Sequence, residues 1–225
     1  MPKPAMPVSD PATPHSPGRR RLAGWLALLA ACLPMLAARQ ALAQGQAGAA
    51  PRLTPAQTEG PFYPVSPPAD TDFDLLRQGG AAYAKGQPCW LDGQVRGANG
   101  QPLAGAVVEI WQCDAAGHYR HPGDGDRADP DFQAFGRVVA DAEGRYRFRT
   151  IRPVAYSGRT PHIHVKVKQG RRTLLTTQLY VAGDPGNARD FLWRQLGEAD
   201  RAALTVPFTP GADGLRASFD IVVAA

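Results

Sequence analysis

The central and C-terminal parts of this sequence consist of short segments with strand character, separated at close intervals by turn residues. In one of them, Arg147 and Arg149 alternate with Tyr146, Phe148 and Thr150. This period of two is typical of a strand with one buried face. Turns are indicated at Asp141–Gly144 and Lys168–Gly170. The other predicted strands are Val107–Trp111, Val138–Ala140, Ile163–Val167, Leu174–Val181 and Phe219–Val223. Such spacing predicts an all-β fold, an antiparallel β-sandwich.

The one predicted helical segment lies near the C-terminus. Residues Asn187 to Leu204 carry apolar side chains that a short helix could bury. The Gln-, Ala- and Gly-rich residues 44–56 are typical of a flexible lead-in. We therefore expect a single β-sandwich domain over residues 57–225.

Residues 1–43 have the sequence pattern of an N-terminal leader. Arg19–Arg21 precede an apolar stretch, and Ala41–Ala43 offers a small-x-small cleavage site before Gln44. This pattern predicts a secretory signal peptide and a periplasmic or extracellular protein. The arginines favour a twin-arginine signal, with ordinary Sec export as the alternative. Cys32 follows a lipobox-like sequence, so lipidation is a further, less favoured alternative.

The basic charge of the chain belongs mainly to this leader. The whole sequence has 25 basic and 20 acidic residues, for a net charge of +5. Residues 1–43 contain five of the basic and one of the acidic residues, which leaves twenty against nineteen, or +1. No nucleic-acid partner is therefore expected. The apolar stretch is too short to serve well as a spanning helix, and none is expected elsewhere.

Two cysteines remain after the leader. Asn99-Gly100 is a strong turn signal, and it predicts a hairpin between Trp90–Arg96 and Ala106–Gln112. That hairpin would bring Cys89 and Cys113 to roughly opposite positions. A disulfide and two separate buried thiols are both consistent with the sequence.

The pair His162 and His164 is the strongest candidate for chemistry. Alternate residues of a strand share a face, so both imidazoles can point at one metal ion. The nearest hard anionic candidates are the phenols of Tyr119 and Tyr156, and ferric iron is the metal that best displaces a phenolic proton. An exposed strand edge would show the same His-x-His pattern, so the pair alone leaves both interpretations open.

Several segments together resemble the intradiol ring-cleavage dioxygenases, the family of protocatechuate 3,4-dioxygenase and catechol 1,2-dioxygenase. They follow the family's order from about residue 54 to the C-terminus. The segments are Gln57–Tyr63, Gly105–Gln112, Gly117–His121, Gly144–Ile151, Arg159–His164 and Thr177–Tyr180.

This resemblance implies a mononuclear non-haem Fe(III) enzyme that cleaves a catechol-type substrate with O2. The implied metal ligands are Tyr119, Tyr156, His162 and His164. Tyr156 would be the ligand that the substrate displaces, taking a substrate proton as it leaves. Arg159 matches an arginine that stabilises developing negative charge, and Gln178 matches an active-site glutamine. No NAD(P)H or flavin is expected.

The roles of the neighbouring residues are less specific. Glu59, Phe62 and Tyr63 either line the substrate mouth or form an N-terminal packing segment. Two further groups flank Tyr119 and are expected to lie outside the ligand set, namely His118 and His121. Trp111 is expected in the core. The stretch from Tyr156 to His162 is shorter than in the large protocatechuate enzymes, which predicts a more open cavity.

Two other classes of function stay as alternatives. A β-sandwich of this size can be a non-catalytic binding module, although the complete ligand set argues against a degenerate site. A zinc hydrolase built on His162 and His164 lacks an evident third ligand and a placed general base. The preferred catechol and the oligomeric state, including a homo-oligomer, stay open.

Overall fold

The computed structural model describes residues 51–66 and 68–225. The predicted leader, and the part of the predicted lead-in before residue 51, lie outside the described residues. Within them the prediction of an all-β sandwich with a short C-terminal helical segment is confirmed. No helix in this described part is long and apolar enough to cross a membrane.

The described residues contain short strands and two short helices. The strands are β1 (Arg77–Gln78), β2 (Ala81–Ala82), β3 (Pro88–Gly97), β4 (Val107–Trp111), β5 (Phe135–Val139), β6 (Arg145–Ile151), β7 (His162–Gln169), β8 (Arg172–Val181), β9 (Thr205–Val206), β10 (Thr209–Gly211), β11 (Gly214–Ser218) and β12 (Ile221–Val223). The helices are α1 (Phe191–Gln195) and α2 (Glu198–Leu204).

Two five-stranded sheets form the sandwich. In one sheet, β3 pairs antiparallel with β6 and parallel with β11 and then β12, while β10 extends β11. The other sheet has the order β5-β4-β7-β8-β9, antiparallel except between β8 and β9. Buried residues from both sheets form the core, among them Leu91, Phe148, Ile110 and Val165.

In strand β6 the observed burial follows the alternation of apolar and charged residues in the sequence. Tyr146 and Phe148 are buried, whereas Arg145 and Arg147 are exposed, so one face meets the core and the other meets water. Strand β7 is buried along both faces from His162 to Val167. Its second face is covered by loops and by the N-terminal segment, and the candidate site lies there.

The turn at Asn99-Gly100 is present, but the hairpin predicted around it is wrong. Gly100 has a φ of 80°, and Leu103 N donates to Val95 O at 2.9 Å, which closes the turn. The chain then crosses to the other sheet, so β3 and β4 do not pair. Cys89 therefore lies opposite Thr150, and both cysteines are buried free thiols.

The segment predicted as one helix from Asn187 to Leu204 is broken. A 3₁₀ turn at Asn187–Arg189 precedes α1, and α2 follows after Leu196 and Gly197, whose ψ angles of 142° and 161° are extended. Glycine has a low helix propensity, so an interruption at Gly197 is inexpensive. Asp190 lies between the 3₁₀ turn and α1 and is the N-cap residue of α1.

The N-terminal segment joins the two sheets. Thr54 N donates to Val222 O of β12 at 2.9 Å, and Gln57 N donates to Thr176 O of β8 at 2.9 Å. Thr177 Oγ1 also donates to Pro55 O at 2.7 Å. These contacts begin three residues before the predicted domain boundary at residue 57.

Candidate metal centre

His162 and His164 lie on the outer face of β7, opposite the face that enters the core. Ile163 and Val165 point into the core, as the strand period requires. Both imidazoles are nevertheless only 1% exposed. The antiparallel register places His162 opposite Tyr180 and His164 opposite Gln178 on β8.

The two imidazoles converge on one point. Their Nε2 atoms are 3.3 Å apart. His162 Nδ1 lies 2.6 Å from Thr160 O, and only a donating Nδ1–H fits a carbonyl oxygen, so His162 Nε2 keeps its lone pair free. Burial, followed by the charge of Arg159, lowers the pKa of His162 to about 4. Burial also lowers the pKa of His164, with smaller contributions from His162 and Arg159.

Tyr119 comes from the loop between β4 and β5. Its backbone N–H donates to Asp124 Oδ2 at 2.8 Å, which fixes the loop locally. The Tyr119 ring centroid lies 6.0 Å from that of His164 and 4.9 Å from that of Tyr156. Among the residues that the structure describes, none forms a hydrogen bond with the buried Tyr119 Oη. Burial raises the pKa of Tyr119 well above its ordinary value.

Tyr156 and Arg159 face each other across a tight turn between β6 and β7. Ser157 and Gly158 both have positive φ, 41° and 78°, and Arg159 N donates to Tyr156 O at 2.7 Å. A two-residue turn of this type suits the Ser-Gly sequence. Tyr156 is only partly buried, and its ring centroid lies 5.5 Å from that of His162. Burial raises the pKa of Tyr156, and the Arg159 charge opposes that rise.

Two polar groups hold the Arg159 guanidinium. Nη2 donates to Gln178 Oε1 at 2.8 Å, and Nε donates to Asp190 Oδ2 at 2.7 Å. Gln178 Nε2 in turn donates to Thr58 O at 3.0 Å. All six residues predicted as ligands or catalytic groups therefore lie in one region of the protein.

Sequence reasoning missed two residues of this region and the contact that a third makes with His164. Asp190 is fully buried against Arg159, and Thr160 orients His162. The position of Asp190 just before Phe191-Leu192 is an N-cap signal, but nothing in the sequence connects it with Arg159. Trp111 is buried as predicted, yet its ring stacks on His164, with centroids 4.7 Å apart and planes 9° apart.

The N-terminal segment combines both roles proposed for it. Phe62 stacks on Tyr119 with ring centroids 4.6 Å apart, and it lines a cavity. Tyr63 packs against Trp111 and donates to Glu109 Oε2 at 2.8 Å, while Glu59 forms an ion pair with Lys166. Phe62 therefore borders the cavity, whereas Glu59 and Tyr63 fasten the segment to the sheet.

The two histidines that flank Tyr119 contact different residues. His118 Nδ1 lies 3.7 Å from Asp124 Oδ2, and His121 Nδ1 accepts from Gly123 N at 2.9 Å. The His121 ring also meets the edge of Phe62, with centroids 5.7 Å apart.

Two cavities border the centre. One, of about 400 Å³, is lined by Phe62, Trp111 and Tyr119 together with residues of the β4–β5 loop. The other, of about 380 Å³, is lined by Tyr156 and Arg159 together with residues 184–186. Each is large enough for a single aromatic ring, and the Phe62 ring lies close to both tyrosines.

The donor set fits a metal ion. Two nitrogens that each lie about 2.1 Å from one ion at roughly a right angle are about 3 Å apart, close to the observed separation. Leaving the buried Tyr119 hydroxyl without a partner costs about 1–3 kcal/mol, which metal coordination would remove. Phenolates are hard anionic ligands that favour a ferric ion over a softer metal.

Comparisons with known proteins identify the family of this chain. A family model described as Dioxygenase matches residues 58–225. The β chain of protocatechuate 3,4-dioxygenase from Burkholderia cepacia is 37% identical over 183 residues, which cover 72% of this chain and 76% of that protein. Catechol 1,2-dioxygenase 2 from Acinetobacter lwoffii is 33% identical over 169 residues, 67% of this chain and 58% of the relative.

A solved structure of a dioxygenase domain also matches this chain. The dioxygenase domain of a dioxygenase carbohydrate-binding protein fusion from Streptomyces sp. SirexAA-E is 34% identical, with a TM-score of 0.61. The match covers 76% of this chain and 97% of that domain. The fold is a β-sandwich in which two phenols and two imidazoles lie together. The chain belongs to the intradiol ring-cleavage dioxygenase family.

The histidine burial predicts how the stability of the metal-free protein depends on pH. Above the ordinary imidazole pKa of 6.5, His162 is neutral in both the folded and the unfolded state. Between 6.5 and about 4 the unfolded chain binds a proton that folded His162 does not bind. The free energy of unfolding therefore falls as the pH falls through this window. Urea unfolding at a series of pH values measures the slope. His162→Gln should show a smaller slope than the wild type, and an equal slope would contradict the prediction.

Proposed function

We propose that this protein is a non-haem Fe(III) intradiol dioxygenase. It would insert both atoms of O2 between the two hydroxylated carbons of a catechol-type ring and release a muconate-type acid. The observation that carries the proposal is the convergence of His162, His164, Tyr119 and Tyr156 at one buried point. These four side chains would hold the iron. When bound, the ferric ion would supply Lewis acidity and a template for the catecholate and O2.

The two tyrosines are suited to different tasks. Tyr119 is buried and stacked on Phe62, so it has little freedom to leave the centre. Tyr156 is partly exposed and sits at a turn beside a cavity. We infer that Tyr156 is the phenolate that moves aside when substrate binds and takes a proton from the catechol.

Arg159 and Gln178 are suited to stabilising charge on the substrate. The guanidinium is part-buried, where its electrostatic effect is stronger than in water. Asp190 and Gln178 fix its plane, so no reorganisation is needed as charge develops. Gln178 would align this arginine and border the space where O2 or solvent lies.

Substitutions separate metal binding from catalysis. Tyr119→Phe and His164→Ala should lose iron and the red-brown tyrosinate-to-Fe(III) charge-transfer colour, because each removes a ligand. Arg159→Ala should keep both but lose rate by about 10²–10³-fold, as for other charge-stabilising groups. Iron content, visible spectra and kcat measure these effects. Normal catechol turnover by His164→Ala, or a colourless wild type that retains zinc after anaerobic iron loading, would contradict the proposal.

Isotope labelling tests the reaction itself. Iron-replete protein should consume O2 with catechol, hydroxyquinol or protocatechuate-like substrates, without NAD(P)H or flavin. With ¹⁸O2, mass spectrometry should find both labelled atoms in one muconate-type product. An extradiol semialdehyde, or no O2 uptake on any catechol, would overturn the assignment.

We also propose that the enzyme is exported. The support is the arrangement of Arg19–Arg21, an apolar stretch and Ala41–Ala43 before Gln44. Expressed from its full sequence in a bacterial host, the chain should appear outside the cytoplasm with Gln44 as its first residue. Peptide sequencing of the N-terminus measures this. Cytoplasmic protein that keeps residues 1–43 would contradict it.

A further inference from the structure

The Asp190 carboxylate connects helix α1 with the metal centre. It is fully buried and accepts four hydrogen bonds. Oδ1 accepts from Leu192 N and Trp193 N at 3.0 Å each, which caps α1. Oδ2 accepts from Arg159 Nε at 2.7 Å and Thr160 N at 3.0 Å. One oxygen therefore serves the helix and the other serves the loop that carries Arg159.

Through Oδ2, Asp190 determines where the Arg159 guanidinium lies. An arginine side chain has several rotatable bonds, so an arginine without fixed partners would sample many positions. Asp190 and Gln178 accept hydrogen bonds from two different nitrogens, and the two N–H directions together orient the guanidinium plane. The ring of Phe191 lies 5.4 Å from Arg159 Cζ and is 58% exposed, so it covers the guanidinium toward solvent.

The same contact reaches His162 through Thr160. Asp190 binds the Thr160 N–H, and the Thr160 carbonyl accepts from His162 Nδ1. Asn187, three residues before Asp190, is 2.7 Å from Thr160 Oγ1 through its side-chain oxygen. The segment from Asn187 to Asp190 therefore contacts both Arg159 and Thr160, in the short loop that precedes His162.

We propose that Asp190 is the positioning residue for Arg159 and does not only cap helix α1. This inference rests on the proposed function. Asp190 touches neither substrate nor metal and acts through Arg159. A merely structural carboxylate would affect stability, whereas a positioning residue affects kcat through one partner.

Asp190→Asn separates these two roles. Asparagine caps helices about as well as aspartate, so its oxygen can keep the bonds to Leu192 and Trp193. Its NH2 group would then face the N–H donors of Arg159 and Thr160, and that contact is lost. We expect kcat to fall by about 10- to 100-fold, as for a misplaced catalytic group, with KM, iron content and colour nearly unchanged.

A double-mutant cycle with Arg159→Ala gives the decisive comparison. If Asp190 acts through Arg159, the variant carrying both substitutions should have the kcat of Arg159→Ala alone, to within about twofold. Losses that multiply would overturn the proposal. Asp190→Ser, which keeps a helix cap but is too short to reach Arg159, should repeat the Asp190→Asn result and replaces it if that variant fails to fold.

A readout on metal-free protein keeps the test independent of turnover. The Arg159 Nε–H should give a slowly exchanging ¹⁵N NMR signal, assigned by its absence in Arg159→Ala. It should become fast-exchanging in Asp190→Asn but not in Asp200→Asn, the same change at an ion pair on α2. Asp200→Asn should also keep kcat within about twofold. An unchanged signal in Asp190→Asn would overturn the inference, while inactive wild-type protein with the expected NMR pattern would refute only the proposed function.

Discussion

The burial of two neutral imidazoles on the outer face of one strand is the constraint on which the rest of the site depends. An outward-facing residue of a sandwich normally meets water, yet His162 and His164 are almost completely excluded from it. Burial holds both in the uncharged form that can bind a metal ion. It also requires a cover over this face, and Tyr119, Phe62 and Tyr156 provide it.

The cover is fastened by charged groups further along the same face. Glu109 is fully buried on β4, where burial alone would raise its pKa, but hydrogen bonds from Lys168, Tyr63 and Arg137 outweigh that effect and lower it. The neighbouring Lys166 pairs with Glu59 and lies 3.4 Å from the centroid of the Tyr63 ring. A buried carboxylate with three donors is costly to separate from them, so the N-terminal segment stays over the sheet.

Polar contacts on the other side of the centre form a second support. The Asp190 carboxylate, the Thr160 backbone and the Gln178 amide fix Arg159 and His162 through hydrogen bonds of 2.6–3.0 Å. This side contains the more exposed tyrosine and a cavity. The centre thus combines a largely apolar side at the buried Tyr119 with a more polar side at the partly exposed Tyr156.

The sequence by itself determined the all-β class and the strands β3 to β8 and β12, but not β1, β2 or β9 to β11. Its family resemblance supplied a candidate set of six residues that the fold brings together, namely Tyr119, Tyr156, Arg159, His162, His164 and Gln178. Alternation in β6 and β7 is a local property, and motif spacing is preserved in the chain. Only the tertiary structure decided that β3 and β4 belong to different sheets, which separates Cys89 and Cys113 as free thiols. It also decided that Asp190 binds Arg159 across 31 residues. Neither could be predicted, because pairing between distant segments depends on how whole sheets pack and not on the residues next to each turn.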